Sequence, residues 1–279
     1  MRKLTVISFL LIAAIVPTLG ADDKSQATGS ISWLNSIDMA TTQARATGKP
    51  ILLYLTADYC AYCKQMDKEA FVDSRAVLLS QLYIPCKMDG EHEGKPLIKK
   101  YDVKTYPYEA VVDDAGALLA PAPEYMDPDK YARTLATDLP DASLSQLKTQ
   151  TDPTSMAVLA VIDAERGDTD AAEAIAAALN TDGLPASVAL NHAIGSAYVD
   201  AKAFDKALKP LSTAAASLGD CHEAVGIHFH LADCYHSLTR PVDEASELAA
   251  IRQMHAASKD EKKLAEKRQR GLSSGAATK

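Results

Sequence analysis

Ile51-Leu52-Leu53-Tyr54-Leu55-Thr56-Ala57-Asp58-Tyr59-Cys60-Ala61-Tyr62-Cys63-Lys64 changes pattern partway along. Ile51 to Leu55 is continuously apolar, with no alternation of polar residues. A run of this kind suits a short strand covered on both faces. Thr56 to Tyr59 supplies turn chemistry. From Cys60 the apolar positions Met66, Ala70, Phe71 and Val77 recur at helical spacing, so a helix is expected from Cys60 to about Leu79. Two cysteines separated by two residues therefore fall at the point where a buried strand hands over to a helix.

That position has chemical consequences. A cysteine at a helix N-terminus faces unpaired backbone N–H groups and the positive end of the helix dipole. Both favour the thiolate, which is the nucleophilic form. The second cysteine lies about one turn on, within reach of a disulfide. Cys60 is expected to be the exposed attacking thiol and Cys63 the inner, resolving one. A static disulfide and a zinc half-site are the other readings of the pair. A closed zinc site takes four ligands, and the sequence holds no second close cysteine pair.

Working outward, residues 35 to 47 predict a helix from Ile37, Ala40, Thr41 and Ala44, ended by Gly48 and Pro50. Leu82 to Met88 predicts a second strand, and Pro96 to Tyr101 a short helix. Tyr108 to Asp113 predicts a third strand. Asp114-Ala115-Gly116 is a hairpin turn signal leading to a partner strand at Ala117 to Ala120. Asp127-Pro128 starts a helix, with Asp as cap and Pro in the first turn. Elements in this order imply a central mixed sheet with helices on both faces.

Residues 30 to 137 so arranged resemble the thioredoxin superfamily. The likeness is carried by Lys49 to Leu55, Asp58 to Lys64, Lys87-Met88-Asp89, and Tyr101-Asp102-Val103-Lys104-Thr105-Tyr106-Pro107. Exported domains of thiol:disulfide interchange type are the most similar subgroup. The resemblance implies an α/β thioredoxin-like fold with Cys60 and Cys63 as the catalytic pair. It implies a cis peptide bond before Pro107, and a substrate segment paired with the Tyr106 backbone by strand addition. Tyr59, Ala61 and Tyr62 join Tyr106 and Pro107 as candidate substrate-binding residues. The family carries Trp before the first cysteine and Gly-Pro between the two; here Tyr59 and Ala61-Tyr62 stand in those places. The family's buried acid, six residues before the attacking cysteine, is replaced by Tyr54. The intervening dipeptide tunes reduction potential, so reductase, oxidase and isomerase work all stay open, with reduction preferred.

Residues 1 to 20 read as a signal peptide. Arg2 and Lys3 precede an apolar run from Leu4 to Val16, Pro17 breaks it, and small residues follow at Gly20 and Ala21, where cleavage is expected. The run falls short of the roughly 20 apolar residues of a membrane-spanning helix, and no later stretch is apolar enough to span. The expected location is the periplasm or the extracellular space. The chain has 279 residues, 47% hydrophobic and 24% charged, enough for two modest domains. Its formal net charge is −8, which becomes −10 without Arg2 and Lys3. Such an acidic chain is unsuited to broad nucleic-acid binding.

Five cysteines, at 60, 63, 86, 221 and 234, are too few for a disulfide scaffold. Cys86 reads as a buried small hydrophobe. Cys221 and Cys234 lie on one expected helix, about 20 Å apart at ~1.5 Å per residue, too far to pair. His222, His228, His230 and His236 crowd the same helix. His230 and Cys234 have a spacing that can hold a metal, but packing and solvation explain the group as well, and no metal or other cofactor is expected. His92, the sole histidine of the first domain, lies in a loop rich in Gly and Glu with nothing to mark it as a catalytic base.

The expected organisation is a signal peptide (1–20), a thioredoxin-like domain (21–137), an aperiodic linker (138–153), an all-α domain of helical repeats (154–257) and a charged tail (258–279) that starts as a fraying helix and ends in disorder. Ile194-Gly195, Tyr198, Ala207, Leu211 and Ala214 resemble the tetratricopeptide (TPR) pattern. Ala171, Ala207 and Ala245 recur at 36 and 38 residues, wider than the usual ~34. A stacked solenoid of this kind presents a concave face. Taken together, the sequence points to an exported thiol–disulfide oxidoreductase acting on protein thiols or disulfides, supplied by a membrane or exported electron donor. The alternative is a redox-passive adaptor whose repeats bind a partner.

Overall fold

The apolar run Ile51–Thr56 forms strand β1, whose residues 51 to 55 are all buried. Successive side chains point to opposite faces. Ile51, Leu53 and Leu55 enter one hydrophobic cluster, while Leu52 and Tyr54 enter another. This is why the run shows no alternation: β1 is covered on both sides. In this computed structural model, which describes residues 29–122, 124–179 and 186–276, β1 is central to a four-stranded sheet. The other strands are β2 (Ile84–Asp89), β3 (Tyr108–Val112) and β4 (Leu118–Ala122), in the order β2-β1-β3-β4. β2 runs parallel to β1, β3 is antiparallel to β1, and β4 is antiparallel to β3.

Helix α1 (Ile37–Thr47) packs Ala40 and Ala44 onto the first face. Ser36 caps its N-terminus by accepting from the Met39 N–H, and Gly48 ends it in the left-handed region, φ 73°. The short α4 (Lys95–Lys100) covers the same face through Leu97. The second face is covered by α2 (Ala61–Lys68), α3 (Ser74–Ser80) and α5 (Pro128–Thr137). The mixed sheet flanked by helices agrees with the fold class expected from the sequence.

One long helix from Cys60 to Leu79 is not what forms. The chain breaks between Lys68 and Ser74 into α2 and α3. Asp73 caps the second piece by accepting from the Arg75 N–H at 2.9 Å. The Phe71 N–H turns back to the Met66 carbonyl, and the Phe71 ring joins Trp33, Tyr54 and Tyr131 with centroid separations of 4.9 to 5.2 Å. Burying that ring while capping a new helix outweighs continuing the old one.

The rest of the described chain is helical: α6 (Asp141–Leu147), α7 (Pro153–Glu165), α8 (Thr169–Ala178), α9 (Ser187–Asp200), α10 (Phe204–Ser217), α11 (His222–Ser237), α12 (Pro241–Gln253) and α13 (Lys259–Ala276). Helices α7 with α8, α9 with α10, and α11 with α12 pack as neighbours. A Cβ on Gly195 of α9 would lie 2.5 Å from the Leu211 side chain of α10, so glycine there permits the close crossing of this pair.

Two stretches differ from their expected state. Residues 138–153, read as an aperiodic linker, contain α6, which buries Leu144 and Leu147. Its two-leucine face is too short to show a period. Residues 258–279, read as a fraying helix followed by a disordered tail, form one helix, α13, as far as Ala276. Ser258 and Glu261 cap its start reciprocally, Ala265 is fully buried, and Arg268 bonds to Asp233 and Glu244 at 2.7 and 3.0 Å. Tertiary partners hold a sequence whose own composition is polar. The expected signal peptide and its cleavage point lie outside the described residues.

A single hydrophobic cluster runs from Tyr54, Cys63 and Phe71 through Val158, Ala193 and Leu211 to Cys234. The sheet domain and the helices thus share one core. Arg75 stands within this join, fully buried. It donates to Asp73 through Nε and Nη2 at 3.0 and 2.8 Å, to Asp129 of α5 at 2.8 Å, to Glu165 of α7 at 3.3 Å and to Ser196 of α9 at 3.4 Å. Glu223 of α11 accepts from the Ser74 N–H and hydroxyl at 3.0 and 2.6 Å, so a side chain of the helical part helps cap α3.

Candidate active site at the Cys60–Cys63 disulfide

Cys60 is the N-cap of α2 and Cys63 lies in its first turn. The two are joined as a disulfide with a Cα separation of 5.3 Å. The Cys60 N–H donates to the Ala57 carbonyl at 2.9 Å, which closes the turn after β1. The Cys63 N–H donates to Cys60 Sγ at 3.0 Å. When the pair is reduced, that N–H and the helix dipole would favour a thiolate on Cys60.

Exposure departs from expectation in degree. Cys63 is 1% exposed, as an inner thiol should be, but Cys60 is only 7% exposed. Its chain neighbours Tyr59 and Tyr62 are far more exposed, at 73% and 59%. Ala61 is exposed beside them.

The Tyr106–Pro107 peptide bond is cis, as the resemblance implied. The Tyr106 ring lies 6.3 Å from that of Tyr59, which brings the turn before β3 to the cysteine motif. Both hydroxyls donate to Glu91 Oε1, at 3.1 Å from Tyr59 and 3.2 Å from Tyr106. This contact with Glu91, then burial, pushes the Tyr59 hydroxyl up in pKa; for Tyr106, burial and then Glu91 push it up to about 12. Gly90 makes the approach possible, because a Cβ there would meet the Tyr106 hydroxyl at 2.2 Å. On the other side, Tyr62 packs against Tyr125, centroids 5.2 Å apart. All of the expected site residues, Tyr59, Cys60, Ala61, Tyr62, Cys63, Tyr106 and Pro107, therefore fall in one region.

Sequence reading missed Glu91 and Tyr125. Glu91 was hidden in a loop marked only by its Gly and Glu content, and Tyr125 is far from Tyr62 in the chain. It also missed a buried acid. Tyr54 does fill the family's acid position, but its cross-strand partner on β3 is Glu109, 2% exposed. Burial pushes the Glu109 carboxyl up to about 8, so it is mostly protonated at neutral pH.

The histidines of α11 are accounted for by carboxylates. His222 Nε2 lies 3.3 Å from Glu261, His228 Nδ1 2.6 Å from Glu247, His230 Nε2 3.3 Å from Asp129 and His236 Nδ1 2.9 Å from Glu244. Cys234 instead faces the hydrophobic core, so His230 and Cys234 do not act as a pair. Ligand atoms of Asp129, His192 and His230, and of Asp73, His192 and Glu223, converge between the two parts of the chain. The Arg75 guanidinium already serves as the cation among these carboxylates. Cys86, Cys221 and Cys234 are free thiols; burial pushes Cys86 and Cys234 up to about 11.

The family model for thioredoxin-like domains matches residues 32–113. The thiol:disulfide interchange protein DsbD of Ralstonia nicotianae is 28% identical over 89 residues, which are 31% of this chain and 15% of that protein. Among solved structures, a DsbH oxidoreductase is 19% identical with a TM-score of 0.37, covering 42% of this chain and 90% of its own. The oxidised C-terminal domain of Neisseria meningitidis DsbD is 19% identical with a TM-score of 0.34, covering 38% and 99%. Over residues 32–113 the sheet domain that carries Cys60 and Cys63 is thus similar to thioredoxin-like domains, and in this chain it is joined to an array of helices.

Proposed function

We propose that the protein is an exported thiol–disulfide oxidoreductase acting on protein substrates. The observation that carries this reading is the Cys60–Cys63 disulfide at the N-terminus of α2, beside the Tyr106–Pro107 turn. In the reducing direction, the Cys60 thiolate attacks one sulfur of a substrate disulfide, and the other sulfur leaves as a thiolate. Cys63, deprotonated, then attacks Cys60 Sγ and releases the second substrate thiolate. Two electrons pass to the substrate, and the Cys60–Cys63 disulfide is left behind. A dithiol donor, in the membrane or exported, restores the reduced pair. The Tyr106 backbone and Pro107 hold the substrate as an added strand, and Tyr59, Ala61 and Tyr62 line its path. The TPR-like pairs α7 to α12 select partners for the redox domain.

Insulin reduction tests this reading. Activity in the wild type and its loss in Cys60→Ser are expected. Inactivity of both, with a Cys60–Cys63 bond that resists strong dithiols, would favour the second reading, a passive disulfide in an adaptor, to which the 7% exposure of Cys60 lends weight. The direction follows from the reduction potential of the pair: near about −270 mV for a reductase, near about −120 mV for an oxidant.

A further inference from the structure

Resting on the oxidoreductase reading, we propose that the rim around the disulfide selects cysteine-bearing protein segments flanked by arginine or lysine. Two tyrosine pairs, Tyr59 with Tyr106 and Tyr62 with Tyr125, form the rim. Tyr59 and Tyr62 are among the most exposed large hydrophobic side chains of the described residues, so their rings are offered to a partner rather than spent on the core.

The rim is electronegative as well as aromatic. The exposed carboxylate of Glu91 accepts from the hydroxyls of Tyr59 and Tyr106, which raises electron density in both rings. Asp58 and Glu93 are exposed nearby; Asp89 first, and Glu93 and Asp58 after it, bias His92 toward its charged form. On the other side, Glu69 and Asp127 face the Tyr125 hydroxyl.

Few internal cations offset this. His92 is taken by Asp89, Lys87 by Asp67 and Lys130 by Glu124, while His222 lies 3.6 Å from Glu69. Lys64 and Lys68 are exposed on α2, beyond the motif. Among the described residues, no lysine or arginine pairs with Asp58, Glu91 or Glu93. A guanidinium stacks on a tyrosine face by cation–π attraction while its N–H groups reach a carboxylate. The rim supplies both on the Tyr59–Tyr106 side, where Glu91 stands exposed, and an aromatic pair on the Tyr62–Tyr125 side, where Glu69 already faces His222 at 3.6 Å. An acidic flank would meet Glu91, Asp58 and Glu93 at close quarters and be rejected. The net charge of −8 adds long-range steering of cationic partners.

The test uses the full-length oxidised protein and synthetic nine-residue peptides in which serine replaces the central cysteine. The flanks are Arg, Gln or Glu, and binding is followed by NMR titration at low and high salt. The expected result is at least tenfold tighter binding of the Arg peptide than the Glu peptide at low salt. That preference should shrink in 0.5 M salt and fall to under threefold in a Glu91→Gln, Tyr62→Ser double variant. Equal binding of the three peptides, or a preference that survives the double variant, overturns the proposal. Because these peptides carry no sulfur, the outcome is independent of insulin reduction: lost charge preference with active enzyme removes the selectivity alone, and inactive enzyme removes the redox reading.

Discussion

The disulfide rim and the Arg75 cluster are both built from carboxylates facing side-chain donors, yet they obey different energetics. At the rim, Tyr59 is 73% exposed and its bond to Glu91 competes with water. In the cluster, Arg75, Asp73, Glu165, His192 and Glu223 are all buried, and each polar group depends on the others. Removing a buried partner strands a charge, whereas removing an exposed one lets water take its place. Stability is therefore concentrated where the two parts of the chain meet, and little of it rests on the rim. Arg75 and Ser74 lie on α3, the helix that follows the disulfide-bearing α2, so side chains of the helical array anchor the element next to the cysteine pair.

The strongest challenge to this contrast is Arg75→Leu. It strands Asp73 and Glu165 and should cost about 3–5 kcal/mol of unfolding free energy in urea titrations. A loss below about 1 kcal/mol would mean that the cluster contributes little. Acid should act next in size. For Asp73 and Asp129, burial opposes ionisation, but Arg75 outweighs it and holds both carboxyls below their usual 3.8. Their stabilisation is thus complete above about pH 4 and is lost as pH falls through the lower folded values. Burial also opposes charge on His230, yet Asp129 raises it above 6.5, so its contribution is complete below that value and fades as pH climbs through the folded one. Glu165, raised by burial, works the other way and favours the folded state less as pH rises past 4.5. Thermal melts from pH 2 to 9 should therefore show a steep acid limb and a shallower fall above neutrality; a flat acid limb would refute the assignment.

Glu223→Gln keeps the shape of the side chain but weakens its bonds to Ser74 and His192, and should cost about 1–3 kcal/mol in the same titration. At the rim, Tyr59→Phe removes one exposed hydrogen bond and should change stability by less than about 0.5 kcal/mol. A larger loss there would erase the distinction between the two regions.

The redox domain was legible because each of its signals is local. The unalternating Ile51 to Leu55, the Cys60–Cys63 spacing and the Gly48, Gly116 and Asp127-Pro128 punctuation all act within a few residues. The break between α2 and α3 escaped notice because Phe71 has an apolar side chain that fits either a continuing helix or an aromatic cluster. Only Trp33, Tyr54 and Tyr131, from distant parts of the chain, decide for the cluster. The tail carried a readable cap in Ser258 and Glu261, but its polar composition masked the one buried alanine that anchors it.

By itself, the amino-acid sequence determined the strand, the turn and the helix start that put two cysteines one turn apart, since backbone sterics and local hydrogen bonds suffice for that. It also determined that the described residues between 154 and 257 are mainly helical. Tertiary structure alone decided that both parts share one core, that Arg75 gathers the carboxylates of Asp129 on α5 and of Glu165 on α7 alongside that of Asp73, and that Tyr125 and Glu91 complete the rim. These are contacts between residues far apart in the chain. Their energies depend on burial and on the company each charge keeps, and neither quantity exists until the chain is folded.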